Sequence, residues 1–353
     1  MRIDNIETPA LILDMEIFEQ NIKNMNELTK SAGIALRPHY KSHKCTAIAH
    51  MQIAAGAKGI TCAKLSEAED LIAAGIEDVL IANQIVEPSK LARVAYLAGC
   101  CRLTVCVDQI QNIHALEAAA ATQGTTIHCL VEYEIGMNRC GVSTPEEFYS
   151  LAKLIDESPH LVFDGIQAYA AHLSHEEDFE KRKTASEQLE RTLKDLRVYI
   201  EDKGLAVKEI SGESTGTAQF RTKGSVYTEL QAGSYIFMDT AYSALHLNFK
   251  NALFVLATIM SANDKLIVTD AGRKNISIDQ KLPTFRDYPD LSVIVSEEHC
   301  RIPLEGHSAA VGSKLMLIPG HCCTTVNLHD FIYLVRNGKV VDRIPVTSRG
   351  KSK

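Results

Sequence analysis

The sequence predicts an α/β fold: a (β/α)8 TIM-like barrel followed by a second, mostly antiparallel β-domain. Three observations carry this expectation. Strand-length apolar runs alternate with segments of helical period from about residue 8 to about residue 240. Eight such runs can be counted, the number a closed barrel needs. Beyond about Ala241 the texture changes to short β-type runs separated by turns.

In chain order, the stretch Glu16 to Lys30 reads as the first barrel helix. Strand-like runs then begin near Ile34, Gly59, Asp78, Leu103, Thr126, Leu161, Val207 and Tyr227. Between them lie helical stretches closed by glycine, Ala68 to Gly75, Lys90 to Gly99 and Gln109 to Gly124. The longest, Glu176 to Lys203, sets Leu189, Leu193, Leu196 and Ile200 on one face. The later runs are Val255 to Ile259, Lys265 to Thr269, Leu291 to Val295, Lys314 to Ile318 and Phe331 to Val335, with Asn337-Gly338 as a turn. The expected domains are 13–240 for the barrel and 1–12 with 241–353 for the β-domain.

With 353 residues, 46% of them hydrophobic, the chain can bury a barrel-sized core and a smaller one. The net charge of -7 is spread along the chain, so neither a nucleic acid nor an anionic membrane is expected as a partner. No apolar run reaches membrane-spanning length, and Met1-Arg2-Ile3-Asp4 leads into a periodic segment rather than a signal peptide. A cytoplasmic protein is expected. Cys62, Cys106 and Cys129 sit inside apolar strand-like runs, as small buried hydrophobes do in a reducing compartment.

Two segments point to chemistry. Lys41 follows the strand Ile34-Ala35-Leu36-Arg37-Pro38, at the C-terminal end where barrels place catalytic groups. A lysine at the barrel mouth, with Arg37 and His39 as neighbouring donors, suits a nucleophilic amine; the alternative is an ordinary solvated loop lysine. Ser211-Gly212-Glu213-Ser214-Thr215-Gly216-Thr217 follows the seventh strand, and Gln231-Ala232-Gly233-Ser234-Tyr235 follows the eighth. Barrels often build phosphate sites from these two loops, although a small-residue loop by itself is more often a plain turn.

Together these segments resemble the D-threonine aldolase and D-serine dehydratase family of pyridoxal-phosphate enzymes, which shares its fold with alanine racemase. The resemblance covers nearly the whole chain. It rests on Thr8-Pro9-Ala10, Arg37 to Lys44, Gly136-Met137-Asn138-Arg139-Cys140-Gly141, Ser211 to Thr217, Gln231 to Asp239, Ser296 to His299 and Pro319-Gly320-His321-Cys322-Cys323. It implies Lys41 as the lysine that carries pyridoxal 5'-phosphate and Tyr169 as the aromatic against its ring. It implies Thr215, Gly216, Thr217, Gly233, Ser234 and the adjoining Tyr235 around the phosphate, and Arg139 as an active-site arginine. Gln231 stands where alanine racemase presents an arginine to the ring nitrogen. A neutral amide brings no carboxylate to keep that nitrogen protonated, so a weaker electron sink is expected.

The compensating electrophile is sought in His321-Cys322-Cys323. On an extended segment residues i and i+2 point the same way, so His321 and Cys323 can share one divalent ion, Zn, Mn or Mg. A β-domain histidine with two buried thiols is the alternative. A thiolate favours zinc, and the resemblance ties that donor pair to dehydratases. Ala171-His172-Leu173-Ser174-His175 resembles the aldolases instead, with His175 as the base for a substrate β-hydroxyl or, alternatively, a plain helix-entry histidine. The expected reaction is therefore metal-assisted retro-aldol cleavage of a D-β-hydroxy-α-amino acid, D-threonine giving glycine and acetaldehyde. Zinc-dependent β-elimination of D-serine is the alternative, followed by an amino-acid racemase or a pyridoxal-phosphate carrier. The resemblance also implies a homodimer. Glu298, His299 and His307 receive no role.

Overall fold

The computed structural model describes residues 1–288, 291–303 and 309–353; His307 lies outside the described residues. The chain divides into two compact units. One comprises 26–41, 48–233 and 351–353; the other comprises 1–25, 42–47 and 234–350.

The chain enters through β1 (Ala10–Asp14) and α1 (Met15–Ala32), and the barrel strands follow in sequence order. They are β2 (Ala35–Leu36), β3 (Ile60–Cys62), β4 (Asp78–Ile81), β5 (Arg102–Val107), β6 (Ile127–Glu132), β7 (Leu161–Ala168), β8 (Glu209–Gly212) and β9 (Glu229–Leu230). Helices α2 (Thr46–Ala54), α3 (Leu65–Ala73), α4 (Pro88–Ala98), α5 (Ile110–Gln123), α6 (Pro145–Asp156) and α7 (Phe179–Asp202) connect most of them. The strands pair in parallel in the order β2-β9-β8-β7-β6-β5-β4-β3. The two edge strands meet through a parallel bridge between His39 and Thr61, with the Thr61 N–H donating to the Pro38 carbonyl at 2.9 Å. An alternating βα chain closes in this way because helices cover the outer face and side chains fill the inner one. Val79, Leu80 and Ile81 of β4 are all buried, the continuous apolar run of a strand covered on both sides. All eight strands lie where the sequence places them.

Gly165 in β7 has a backbone reason to be glycine. Its φ is +150°, and a Cβ there would overlap the Glu209 carbonyl of the neighbouring β8. Charged residues near the strand starts, joined by Arg37 reaching down from the end of β2, close the barrel floor. Arg37 Nη1 pairs with Asp78 at 2.7 Å and its Nε with Glu229 at 2.9 Å. Lys58 bonds Glu209 and Glu229, and Arg102 and His128 both reach Asp164, at 2.6 and 2.8 Å.

The second unit holds α8 (Thr240–Ser243), β10 (Leu253–Ala262), β11 (Leu266–Thr269), β12 (Thr284–Phe285), β13 (Ile294–Val295), β14 (Cys300–Pro303), β15 (Lys314–Ile318), α9 (Cys322–Val326), β16 (Phe331–Arg336) and β17 (Lys339–Pro345). Its sheet runs β13-β14-β11-β10-β1-β16-β17, with β15 beside β10 and β12 beside β15. Pairing is antiparallel except where β1 runs parallel to β16, Leu11 opposite Ile332. Ile6, Ile12, Phe254, Leu256 and Val335 form its packed centre.

Candidate active site

Past Leu36 the chain leaves β2 and makes a 3-10 turn, Tyr40–Ser42, that carries Lys41. Tyr40 is fully buried and anchors the turn, and the Lys41 N–H donates to His39 Nδ1 at 3.3 Å. The Lys41 amine then lies 4.9 Å from the ring centroid of Tyr169, the residue next after β7. The Arg139 guanidinium lies 5.7 Å from the same ring. Three residues marked in the sequence thus converge. Arg37 does not join them: its long side chain runs to Asp78 and Glu229, so it is no donor beside Lys41.

Three carboxylates that the sequence did not mark hold Arg139 and its loop. Glu132, the last residue of β6, sits 3.6 Å from the Arg139 guanidinium and accepts from Gln84 at 2.6 Å. Burial pushes the Glu132 carboxyl up, partly offset by Gln84 and Arg139. Glu134 accepts the N–H groups of Gly136 and Asn138 at 2.7 and 2.8 Å, and Asp108 accepts that of Gly141 at 2.9 Å. Glu132 and Glu134 lie in or beside the strand end that the motif Gly136 to Gly141 continues; Asp108 follows β5 and had no local signal.

The end of β8 and the loop after it are buried from Ser211 to Thr217. Ser214 and Thr217 hydroxyls lie 3.1 Å apart. A Cβ on Gly216 would overlap the Ser174 carbonyl, so only glycine lets this loop pack against the turn that carries His175. Among the described residues no protein group accepts the Gly216 N–H. A buried N–H in a loop of hydroxyls is suited to an anion. Glu213 turns toward Arg221, whose Nε is 3.6 Å away; burial pushes its carboxyl up against that cation. Gln231, one residue past β9, donates to Gln167 Oε1 and to Ser211 Oγ, both at 2.7 Å. Gly233 ends this unit; Ser234 and Tyr235 belong to the other, in a short 3-10 turn.

The residues of this barrel mouth fit pyridoxal phosphate: an amine for its aldehyde, an aromatic face, a cation, and a buried N–H for its phosphate. His175 is half-buried in the turn after the 3-10 helix Ala171–Leu173.

In the β unit His321 and Cys323 come together, though not as an extended segment. His321 is the extended cap of α9, and Cys322 and Cys323 form that helix's first turn. The i, i+2 geometry expected from the sequence is therefore replaced by a helix cap, with the imidazole and the thiol interacting electrostatically. Ser42 and Ser234 hydroxyls lie 3.4 and 3.6 Å from the Cys323 sulfur, and Cys322 Sγ is 3.9 Å away. The Cys322 thiol and His321 draw Cys323 well below the usual thiol range. Burial opposes a charged His321, but the Cys323 thiolate and Asp279 outweigh it and push its pKa up to about 9. Asp279 Oδ2 stands 2.9 Å from His321 Nδ1. An imidazole held at one nitrogen by a carboxylate, beside a thiolate, is a nitrogen–sulfur donor set that fits a divalent ion such as zinc. Among the described residues no group of three or more His, Cys, Asp or Glu does so. Asp279 is missing from the sequence reading because it lies 42 positions from His321 in the chain.

Fold and site together define an enzyme of the pyridoxal-phosphate class built on a barrel. The alanine racemase N-terminal domain family matches residues 13–241, and the putative serine dehydratase domain family matches residues 252–335. The chain belongs to this alanine-racemase-like family of pyridoxal-phosphate enzymes, in its D-threonine aldolase and D-serine dehydratase branch. It is 40% identical to a 3-hydroxy-D-aspartate aldolase of Paracoccus denitrificans (strain Pd 1222), across 98% of this chain and 93% of that protein. It is also 40% identical to a D-threonine aldolase of Arthrobacter sp, across 99% and 94%. A crystal structure of D-threonine aldolase from Filomicrobium marinum superposes with a TM-score of 0.96 at 37% identity, covering 100% of this chain and 98% of that one. No helix among the described residues is long and apolar enough to cross a membrane.

Proposed function

We propose that this enzyme is a lyase that cleaves D-β-hydroxy-α-amino acids by a retro-aldol reaction, with D-threonine giving glycine and acetaldehyde as the leading case. The observation that carries it is the convergence of Lys41 and Arg139 on the Tyr169 ring, within a chain 40% identical to two aldolases over nearly its full length. Bound pyridoxal phosphate supplies an electron sink for the pair left on the substrate α-carbon.

The chain's own residues take the remaining tasks. Lys41 holds the cofactor aldehyde, Tyr169 supports its ring, and Arg139 sets a cation beside it. Thr215, Gly216, Thr217 and Gly233 hold the phosphate with backbone and hydroxyl donors, Ser234 and Tyr235 continuing that loop. Gln231 faces the ring nitrogen. His175 accepts the β-hydroxyl proton as the Cα–Cβ bond breaks, since an imidazole titrates near neutrality. His321 and Cys323 hold one divalent ion, which supplies a Lewis acid for a substrate oxygen. The working form is a homodimer in the cytoplasm, where the ten cysteines, none in a disulfide, stay reduced.

The thiolate in the donor pair favours a second reading, zinc-dependent β-elimination of D-serine to pyruvate and ammonia. Incubating the pyridoxal-loaded protein with D-threonine, 3-hydroxy-D-aspartate and D-serine separates the two. Aldehyde products accompanied by glycine support the aldolase. Pyruvate from D-serine with no glycine from either β-hydroxy acid overturns it.

A further inference from the structure

A neutral amide is a poor partner for a pyridinium nitrogen on charge alone, yet Gln231 does not stand alone. Its Nε2 donates to Ser211 Oγ and to Gln167 Oε1, both at 2.7 Å. The Ser211 hydroxyl donates onward to Glu229 Oε1 at 2.6 Å. Gln167, Ser211, Glu229 and Gln231 are each 3% exposed or less, so water does not compete for these bonds. Burial opposes charge on Glu229, but Arg37 and Lys58 outweigh it and hold its carboxyl below the usual range. Arg37, Lys58 and Arg102 face four carboxylates in this cluster, Asp78, Asp164, Glu209 and Glu229, so these cations do not outnumber the acids.

Proton counting then fixes the direction of every bond. Serine has one hydroxyl proton, and the carboxylate takes it. Ser211 Oγ is left with lone pairs toward Gln231, so the amide nitrogen must face it. A reversed amide would set two acceptors 2.7 Å apart in a dry interior. Both amide hydrogens are committed, and the group Gln231 has left is its carbonyl oxygen, an acceptor.

We propose that Glu229 and Ser211 lock Gln231 so that its Oε1 accepts a hydrogen bond from a protonated ring nitrogen, keeping bound pyridoxal phosphate as a pyridinium. This rests on the placement of Gln231 at the ring nitrogen in the proposed function. An unprotonated nitrogen would turn its lone pair against Oε1. The protonated form makes a bond there and feels the Glu229 charge through two polarised hydrogen bonds. Ser211 and Glu229 are positioning residues in this arrangement. The weaker electron sink expected from a neutral amide gives way to a strong one.

The test is the ¹⁵N NMR shift of cofactor labelled at its ring nitrogen and bound to the protein, with the visible absorbance band as proof of loading. The expected result is a pyridinium-type shift at neutral pH in the wild type. Ser211→Ala, which cuts the relay, and Gln231→Leu, which removes the acceptor, each lose that shift while keeping the band. Ser211→Thr retains the hydroxyl and the shift. A neutral-pyridine shift in the loaded wild type overturns the inference alone, as does a pyridinium shift surviving both Ser211→Ala and Gln231→Leu. A wild type that shows no band overturns the cofactor placement beneath it.

Discussion

Gly216→Ala tests the phosphate cradle through a single methyl group. The added Cβ would overlap the Ser174 carbonyl oxygen and stand 3.0 Å from its carbon, so backbone must move on one side or the other. Displacing the loop withdraws one backbone N–H from the cofactor phosphate. A hydrogen bond to a charged group contributes about 1.5–3 kcal/mol, which corresponds to roughly 10- to 150-fold weaker cofactor binding. Titrating apoprotein with pyridoxal phosphate and following the visible band gives the Kd directly. Gly224→Ala provides the contrast: nothing lies within 4 Å of its Cβ, but its φ of +92° strains an L-residue. That variant should lose about 1–2 kcal/mol of stability with an unchanged Kd. A Gly216→Ala protein that folds and binds cofactor as tightly as the wild type would refute the cradle.

Arg37→Ala takes the buried guanidinium from Glu229 and Asp78, leaving Lys58 on the one and the more distant Arg102 on the other, and breaking such a buried pair costs about 3–5 kcal/mol, read as a lower Tm. Glu229 and Asp164 are both held below their ordinary carboxylate range, Asp164 by His128 and Arg102 against burial. Their stabilisation is present above that range and lost as pH falls through it. Urea melts should therefore weaken on acidification, and Asp164→Asn should blunt that loss while lowering stability at neutral pH. Asp279→Asn leaves His321 without its carboxylate and should weaken zinc binding about 10- to 100-fold in a competition titration with a chromophoric chelator. Extensive dialysis against chelator should remove most retro-aldol turnover, and added divalent metal should restore it.

The barrel was legible because each strand is a short apolar run ending where a helix period begins, as at Asp78-Val79-Leu80-Ile81 before Pro88. The small β unit was less so. β12 and β14 are only two and four residues long; β12 pairs the later β15, and β14 pairs the earlier β11 as well as its neighbour β13. Lys41 and Gly216 could be found because strand ends and small-residue loops announce themselves locally. Glu132, Asp279 and Glu229 could not, since their importance comes from what they touch rather than from a motif. Arg37 departs from expectation for a related reason: the four rotatable bonds of its side chain let it turn from the barrel mouth to the barrel floor. The turn at Cys322 was hidden by Gly320, which reads as an extended or loop residue before a helix of five residues.

In the proposed function the amine of Lys41 holds the cofactor. Borohydride reduction of the pyridoxal-loaded protein, followed by peptide mass mapping, tests it most directly. The expected result is a pyridoxyl group on the peptide containing Lys41 and none after Lys41→Ala. A modified peptide from elsewhere in the chain, with Lys41 untouched, would contradict it.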